Sequence, residues 1–307
     1  MEKISQEMRI PSLVNSLVTT IVQTNQLYLN GLYQTLAKLQ PEEMQELEEY
    51  LIFCLGQGLS IDYLAECYLT ITGDCLRESI YFQEHKKYRY SRLDDVAGSV
   101  YYNDKYMPLY MHGLLITLFF WPNHLELFRF FRKTLPKNKK GNYLEIGPGH
   151  GYFFKTAMAL TKYTNFTGVD FSETSIKQTK ALVEMNKKGN NLFFHCVDFL
   201  QFPLKLSGFD AIVMGEMLEH VENPQDFLKK IVLIAKKHAY IFISTCINAP
   251  AIDHIYHFKD TKQLENLFSD CGLRIKKQII LPYVGKTLEE SIVGLLTINV
   301  GYILEKK

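Results

Sequence analysis

Gly147, Gly149 and Gly151 alternate with Pro148 and His150 directly after the apolar segment Asn142-Tyr143-Leu144-Glu145-Ile146. Glycine lets the backbone approach a ligand closely, and a helix opening after Gly151 favours an anionic group such as a carboxylate at its N-terminus. Asp170 closes the next apolar segment, Phe166-Thr167-Gly168-Val169-Asp170. A carboxylate at the end of the second strand, roughly twenty residues beyond such a turn, is placed to accept hydrogen bonds from a ribose diol.

Proton-transfer groups gather further along. In Glu216-Met217-Leu218-Glu219-His220, helical spacing would put Glu216 and His220 on one face, where they could bond each other and tune one base. The plainer role of such a pair is to cap and brace a helix. Asp253-His254-Ile255-Tyr256-His257-Phe258 should overhang a pocket, with His254 or Tyr256 as base or acceptor clamp and His257 in the lining. Two histidines beside an aspartate also raise the question of a metal, but three-residue histidine spacing is a common coincidence and no metal is expected. A third group is the aromatic run from Tyr101 to His112. Helical spacing aligns Tyr102, Tyr106 and Tyr110, either as core packing or as the aromatic wall of a substrate pocket.

These groups need elements to hold them. Up to about residue 135 the apolar residues recur with a helical period. Leu13 to Leu39 make one long face, a second helix begins at Pro41 and fades at Gly56-Gln57-Gly58, and Ser60 caps a third over 61–69. Further helices are expected around 74–90 and 104–132. Pro136-Lys137-Asn138-Lys139-Lys140-Gly141 is a polar, breaker-flanked stretch and a solvated linker in preference to a nucleic-acid patch. It separates a helical cap over 1–135 from a second domain over 140–307. There strands are expected at 142–146, 166–170, 192–197, 209–214, 239–245, 274–281 and 295–304, with helices at 151–162, 173–186, 224–236 and 261–271. Such alternation gives a parallel α/β sheet covered on both faces. The last two strands leave no room for a helix between them and should pair antiparallel.

Composition narrows the function class. The chain has 307 residues, 47% hydrophobic and 22% charged, as ordinary globular proteins do. A formal net charge of +1 speaks against broad binding to nucleic acid or an anionic membrane. The 6 cysteines form no CxxC pair and suit free thiols in a reducing cytoplasm. The N-terminus, with Glu2, Lys3 and Glu7, lacks a secretory pattern, and the apolar runs 114–121 and 292–304 are shorter than the ~20 residues that cross a bilayer. The N-terminal helix faces offer a homodimer surface, without a heptad long enough to specify it.

A nicotinamide or flavin fingerprint wants glycine or alanine where Tyr152 stands. The turn instead resembles motif I of the class I S-adenosylmethionine-dependent methyltransferases, with Glu145 inside the preceding strand. Gly168-Val169-Asp170, Cys196-Val197-Asp198-Phe199, Phe209-Asp210-Ala211-Ile212-Val213 and Gly215-Glu216-Met217-Leu218-Glu219-His220-Val221 follow in the family's order. The resemblance implies a Rossmann-like fold of seven strands, mostly parallel with the last antiparallel. It implies S-adenosylmethionine as cofactor. The backbone of Gly147, Gly149 and Gly151 would pass under its methionine part, which Glu145 would position. Asp170 would hold the ribose, Phe171 would flank the adenine, Asp198 would accept from the adenine amino group, and Phe199 would lie beside the ring. Gly215 and Glu216 would lie near the sulfonium.

The expected activity is methyl transfer to an oxygen or carbon of a small organic acceptor, in specialised metabolism. The asparagine-proline-proline-aromatic tetrapeptide of many N-methylating relatives is replaced by Gly215-Glu216-Met217-Leu218. A rival reading keeps the cofactor but closes it intramolecularly to azetidine-2-carboxylate with release of methylthioadenosine. A third, a non-catalytic module docking a partner protein, sits poorly with an intact glycine turn.

Overall fold

The computed structural model describes residues 10–184, 189–206 and 208–307. Among the described residues, seven α-helices precede the first strand: α1 (Ser12–Thr24), α2 (Leu29–Leu36), α3 (Pro41–Gly56), α4 (Ile61–His85), α5 (Leu93–Ala97), α6 (Tyr106–Phe120) and α7 (Pro122–Thr134). The long face from Leu13 to Leu39 is not one helix. It breaks at Asn25, whose side chain accepts from Leu27 N at 3.1 Å and starts a short 3-10 turn instead. Ser60 does cap α4, through Tyr63 N at 3.1 Å. The helices expected at 61–69 and 74–90 are one, ended by Lys86 in a left-handed conformation (φ 57). The stretch 104–132 is two helices, because Pro122 cannot continue α6 but fits the first position of α7.

The second half alternates as β1 (Asn142–Ile146), α8 (Tyr152–Leu160), β2 (Asn165–Asp170), α9 (Glu173–Glu184), β3 (Asn191–Cys196), β4 (Phe209–Met214), α10 (Pro224–Ile234), β5 (Ala235–Ile247), α11 (Thr261–Asp270), β6 (Leu273–Leu281), α12 (Leu288–Val293) and β7 (Ile298–Lys306). The last residues of the helix expected over 173–186 lie outside the described residues. A short helix does fit between the last two strands: α12 is fixed by a capping box in which Thr287 and Glu290 bond each other's backbone. The strands form one sheet in the order β3-β2-β1-β4-β5-β7-β6. Only β7 runs against its neighbours, pairing antiparallel with both β5 and β6.

Helices and sheet share a core. Phe128 of α7 stacks on Tyr152 with centroids 5.5 Å apart, and Phe131 packs on Phe242 of β5 at 5.0 Å. Burying each such ring contributes roughly 1.5–3 kcal/mol, so the cap is seated on the sheet through the same apolar cluster that holds α8. On the opposite face α10 and α11 cover Ile212, Ile241 and Tyr302. Among the described residues no helix is long and apolar enough to cross a membrane.

Strand order reverses between β1 and β4: the chain proceeds outward to β2 and β3 on one side and to β5 on the other. Ligands in open α/β sheets bind in the crevice beyond the carboxyl ends of the strands at such a switch point. The Gly147 turn leaves β1 there, and Gly215-Glu216 leaves β4 beside it.

Candidate active site

The first wall of the crevice is the glycine turn. Gly147 sits at φ 62, and a Cβ there would lie 2.4 Å from Met217 Sδ. Gly151 answers a different need: a Cβ would meet Thr179 Cα at 2.9 Å, so this glycine lets α8 and α9 touch. Gly147 and Gly149 line the cavity, and Gly151 does not. Glu145 is buried beneath them and accepts from the Tyr143 hydroxyl. Burial pushes its carboxyl up to about 8 against that bond.

Asp170, at the end of β2, accepts from Ser172 N at 2.8 Å. Burial lifts its carboxyl to about 6, opposed by backbone donors that include Ser172 and Gly149. Phe171 follows it into the wall, met edge-on by Tyr101 at 5.0 Å. Asp198 caps the short turn after β3 through Leu200 N at 2.8 Å, and the buried Phe199 packs against Phe227 at 5.4 Å. Asp198 and Phe199 both face the cavity.

The floor beyond β4 differs from the expected helix. Glu216 has φ 47, its N–H donates to Ser244 O at 3.0 Å, and only Leu218–His220 form a 3-10 turn. Glu216 and His220 therefore do not pair along a helix face. Oε1 of Glu216 is buried without a hydrogen-bond partner among the described residues. Burial and the adjacent Glu219 carboxylate push Glu216 up to about 8. Glu219 is fully buried and accepts from Thr245 Oγ1 at 2.7 Å and from Cys246 Sγ at 3.5 Å.

His220 has found another partner. Its Nδ1 lies 3.3 Å from Asp253 Oδ2, 3.2 Å from the Asp253 carbonyl oxygen and 3.0 Å from the Tyr101 hydroxyl. Asp253 is fully buried and accepts from Tyr101 and from Tyr110, each at 2.9 Å. Burial disfavours a charged imidazole, but the Asp253 carboxylate outweighs it and raises His220 to about 9. The imidazolium in turn outweighs burial at Asp253 and holds that carboxyl well below its usual range. With Nδ1 committed, Nε2 is the nitrogen left for a ligand.

One cavity of about 1060 Å3 joins these walls. Of the expected site residues, Glu145, Gly147, Gly149, Asp170, Phe171, Asp198, Phe199, Gly215, Glu216, His220, His254 and Tyr110 line it, with Tyr102 at its exposed rim. Tyr106, Tyr256 and His257 stand outside the wall. Tyr106 bonds Asp74, Tyr256 packs on Phe258 at 4.7 Å, and His257 is held by Asn248 Oδ1 at 2.8 Å. The stripe fails at Tyr102 because α6 starts only at Tyr106. Tyr101, Glu219 and Asp253 are the residues that spacing did not single out. All three stand within the clusters read from the sequence, but their partners are distant along the chain.

Glu219, Cys246 and His254, and likewise His220, Asp253 and His254, bring ligand-type atoms within 4.8 Å of one another. Several of these atoms also bond protein partners: His254 Nδ1 bonds Ala249 O at 2.5 Å, and Asp253 takes bonds from two tyrosines and lies against His220. The residues present do fit S-adenosylmethionine. A glycine cradle opens at the switch point, Asp170 stands at the second strand, and the carboxyl groups of Glu145, Asp198 and Glu216 line the place the conjugate would take. Glu216, whose Oε1 is unpartnered among the described residues, lines a cavity in which Arg92, at the rim, is the one lysine or arginine among the described lining residues.

Comparison with known proteins agrees. Residues 144–243 match the family described as "Methyltransferase domain". The ubiquinone biosynthesis O-methyltransferase of Coxiella burnetii is 32% identical over 130 residues, 42% of this chain and 53% of that one. The human EEF1A lysine methyltransferase 2 is 28% identical over 113 residues, covering 34% and 46% of the two chains. The chain thus spans about half the length of the curated relatives it matches. In fold it is similar to the mitomycin 7-O-methyltransferase MmcR, with a TM-score of 0.53 at 10% identity over 80% of this chain and 70% of that one.

Proposed function

We propose that this chain, whose residues 144–243 match the methyltransferase-domain family, is a class I S-adenosylmethionine-dependent enzyme that moves the cofactor's methyl group to an oxygen or carbon of a small organic acceptor held under the helical cap. One observation carries the reading: a single cavity of about 1060 Å3 runs from the glycine turn to cap residues Tyr101, Tyr110 and Trp121. Its size is at the upper end of the ~300–1,000 Å3 usual for one ligand, which favours a second substrate over closure of the cofactor on itself. The O-methyltransferases among the similar proteins favour an oxygen acceptor.

When bound, S-adenosylmethionine supplies an electrophilic methyl carbon on a sulfonium. Gly147 and Gly149 would admit its methionine part, with Glu145 beneath; Asp170 would take the ribose, and Phe171, Asp198 and Phe199 the adenine. His220 is charged at neutral pH and so is a donor, not the base. Its Nε2–H steadies the acceptor's oxygen as that atom gains negative charge. The proton the acceptor loses goes to the Glu216 carboxylate, whose raised basicity suits it to the task near neutral pH.

Binding of S-adenosylmethionine and adenosylhomocysteine by calorimetry tests the cofactor. Incubation with S-adenosylmethionine tests the chemistry: adenosylhomocysteine forming only with an acceptor present supports transfer, whereas methylthioadenosine forming without one overturns it in favour of cyclisation.

A further inference from the structure

Large apolar side chains left in water are ordinarily scattered singly, and a group of them marks a binding surface. Leu76 (61% exposed), Tyr283 (49%) and Val284 (54%) are all exposed and all line the cavity. Ile80 (54%) follows Leu76 one turn later on α4. Gln83, on the same face, donates from Nε2 to the carbonyls of Gly294 at 3.3 Å and Leu295 at 3.1 Å. That bond brings this face of α4 to the end of α12, where Val293 is 79% exposed. Across the opening, Asn123 Nδ2 fastens the start of the 282–287 loop through Leu281 O at 3.1 Å and Pro282 O at 2.9 Å. The cavity wall also carries Ile71, Leu114, Leu118 and Leu127, interspersed with the polar Asp74, Asn123, His124 and Asn299. Elsewhere on the rim Arg92 pairs with Asp94 at 3.1 Å, and Glu222 accepts from Leu93 N at 2.9 Å.

We propose that the acceptor is a lipophilic molecule whose reacting end lies at Glu216 and His220 and whose apolar chain leaves the cavity through the collar of Leu76, Ile80, Tyr283, Val284 and Val293. The proposal rests on the methyl-transfer reading and names its substrate class. Continuity with the apolar residues of the cavity wall is what selects this occupant: a side chain or lipid resting on the collar alone would leave them without a purpose.

Trp121 is the sole tryptophan and lines the cavity, so its fluorescence reports occupancy. The full chain, saturated with adenosylhomocysteine, is titrated with para-alkylphenols from methyl to octyl. Affinity should rise roughly threefold to fourfold per methylene until the chain passes the rim. Ile80→Glu and Val284→Glu, both at exposed positions, should flatten that rise while adenosylhomocysteine still binds as before. Affinity independent of chain length, or a rise equally steep in both variants, overturns the proposal. So does a collar variant that changes only self-association in sedimentation, since the collar would then be a contact between copies. Failure of adenosylhomocysteine itself to bind overturns the methyl-transfer reading, and this one with it; nucleoside binding with a flat alkyl series overturns this one alone.

Discussion

The hydroxyl of Tyr101, in the cap, donates to Oδ2 of Asp253, on the loop after β5, at 2.9 Å and across 152 positions of sequence. The same hydroxyl lies 3.0 Å from His220 Nδ1. A cap residue, a loop residue and the turn after β4 thereby form one unit, and the charge on His220 depends on that unit staying closed.

Replacing Asp253 with Asn removes the charge that holds the His220 proton. Burial then acts on the imidazole against no more than the Glu219 carboxyl and the backbone carbonyl of residue 253, so its pKa should fall from the native value of about 9. Imidazole NMR shifts followed against pH should show the fall. Stability should respond with a definite sign. A raised histidine contributes fully below about pH 6.5 and loses that contribution as pH climbs through about 9, so this part of the native pH dependence should vanish in the variant. A His220 titration unmoved by the change would show that Asp253 is not its partner.

Turnover should need Glu216 deprotonated and His220 protonated. The rate is expected to rise as pH passes about 8 and to fall beyond about 9. Glu216→Gln should lower kcat by roughly a hundredfold or more and erase the acidic limb. A profile that keeps that limb in the variant would assign the proton to another group.

Asp170→Ala takes away a carboxylate placed for two hydroxyls. Calorimetry should record cofactor binding weaker by about 2 kcal/mol, near thirtyfold in Kd. Undiminished affinity would put the ribose elsewhere.

Gly147→Ala and Gly151→Ala should fail differently. At Gly147 the new methyl meets the end of the Met217 side chain at the cavity wall, so cofactor affinity falls while stability drops by no more than the backbone strain, about 1–2 kcal/mol. At Gly151 it meets the Thr179 backbone, which cannot step aside, and the larger loss should be in Tm. Equal losses of stability would erase the distinction between ligand cradle and helix contact.

The glycine turn, the acid at the end of β2 and the alternation of strands and helices were legible because each is local. Positive-φ backbone favours glycine, a parallel sheet demands apolar runs, and both leave their mark within a few residues. Helix ends were less legible, since Asn25 and Pro122 act through a single side chain or ring against a strong apolar period. What only the tertiary structure decided is who partners whom at the centre. Spacing suggested Glu216 with His220, four residues apart, but the chain turns sharply at Glu216 and gives His220 to Asp253, 33 positions away. Tyr101 takes the inward place expected of Tyr102, which the late start of α6 leaves at the exposed rim, while Tyr106 turns to Asp74. Buried charges settle where hydrogen bonds and counter-charges converge in space, and one-dimensional spacing does not encode that convergence.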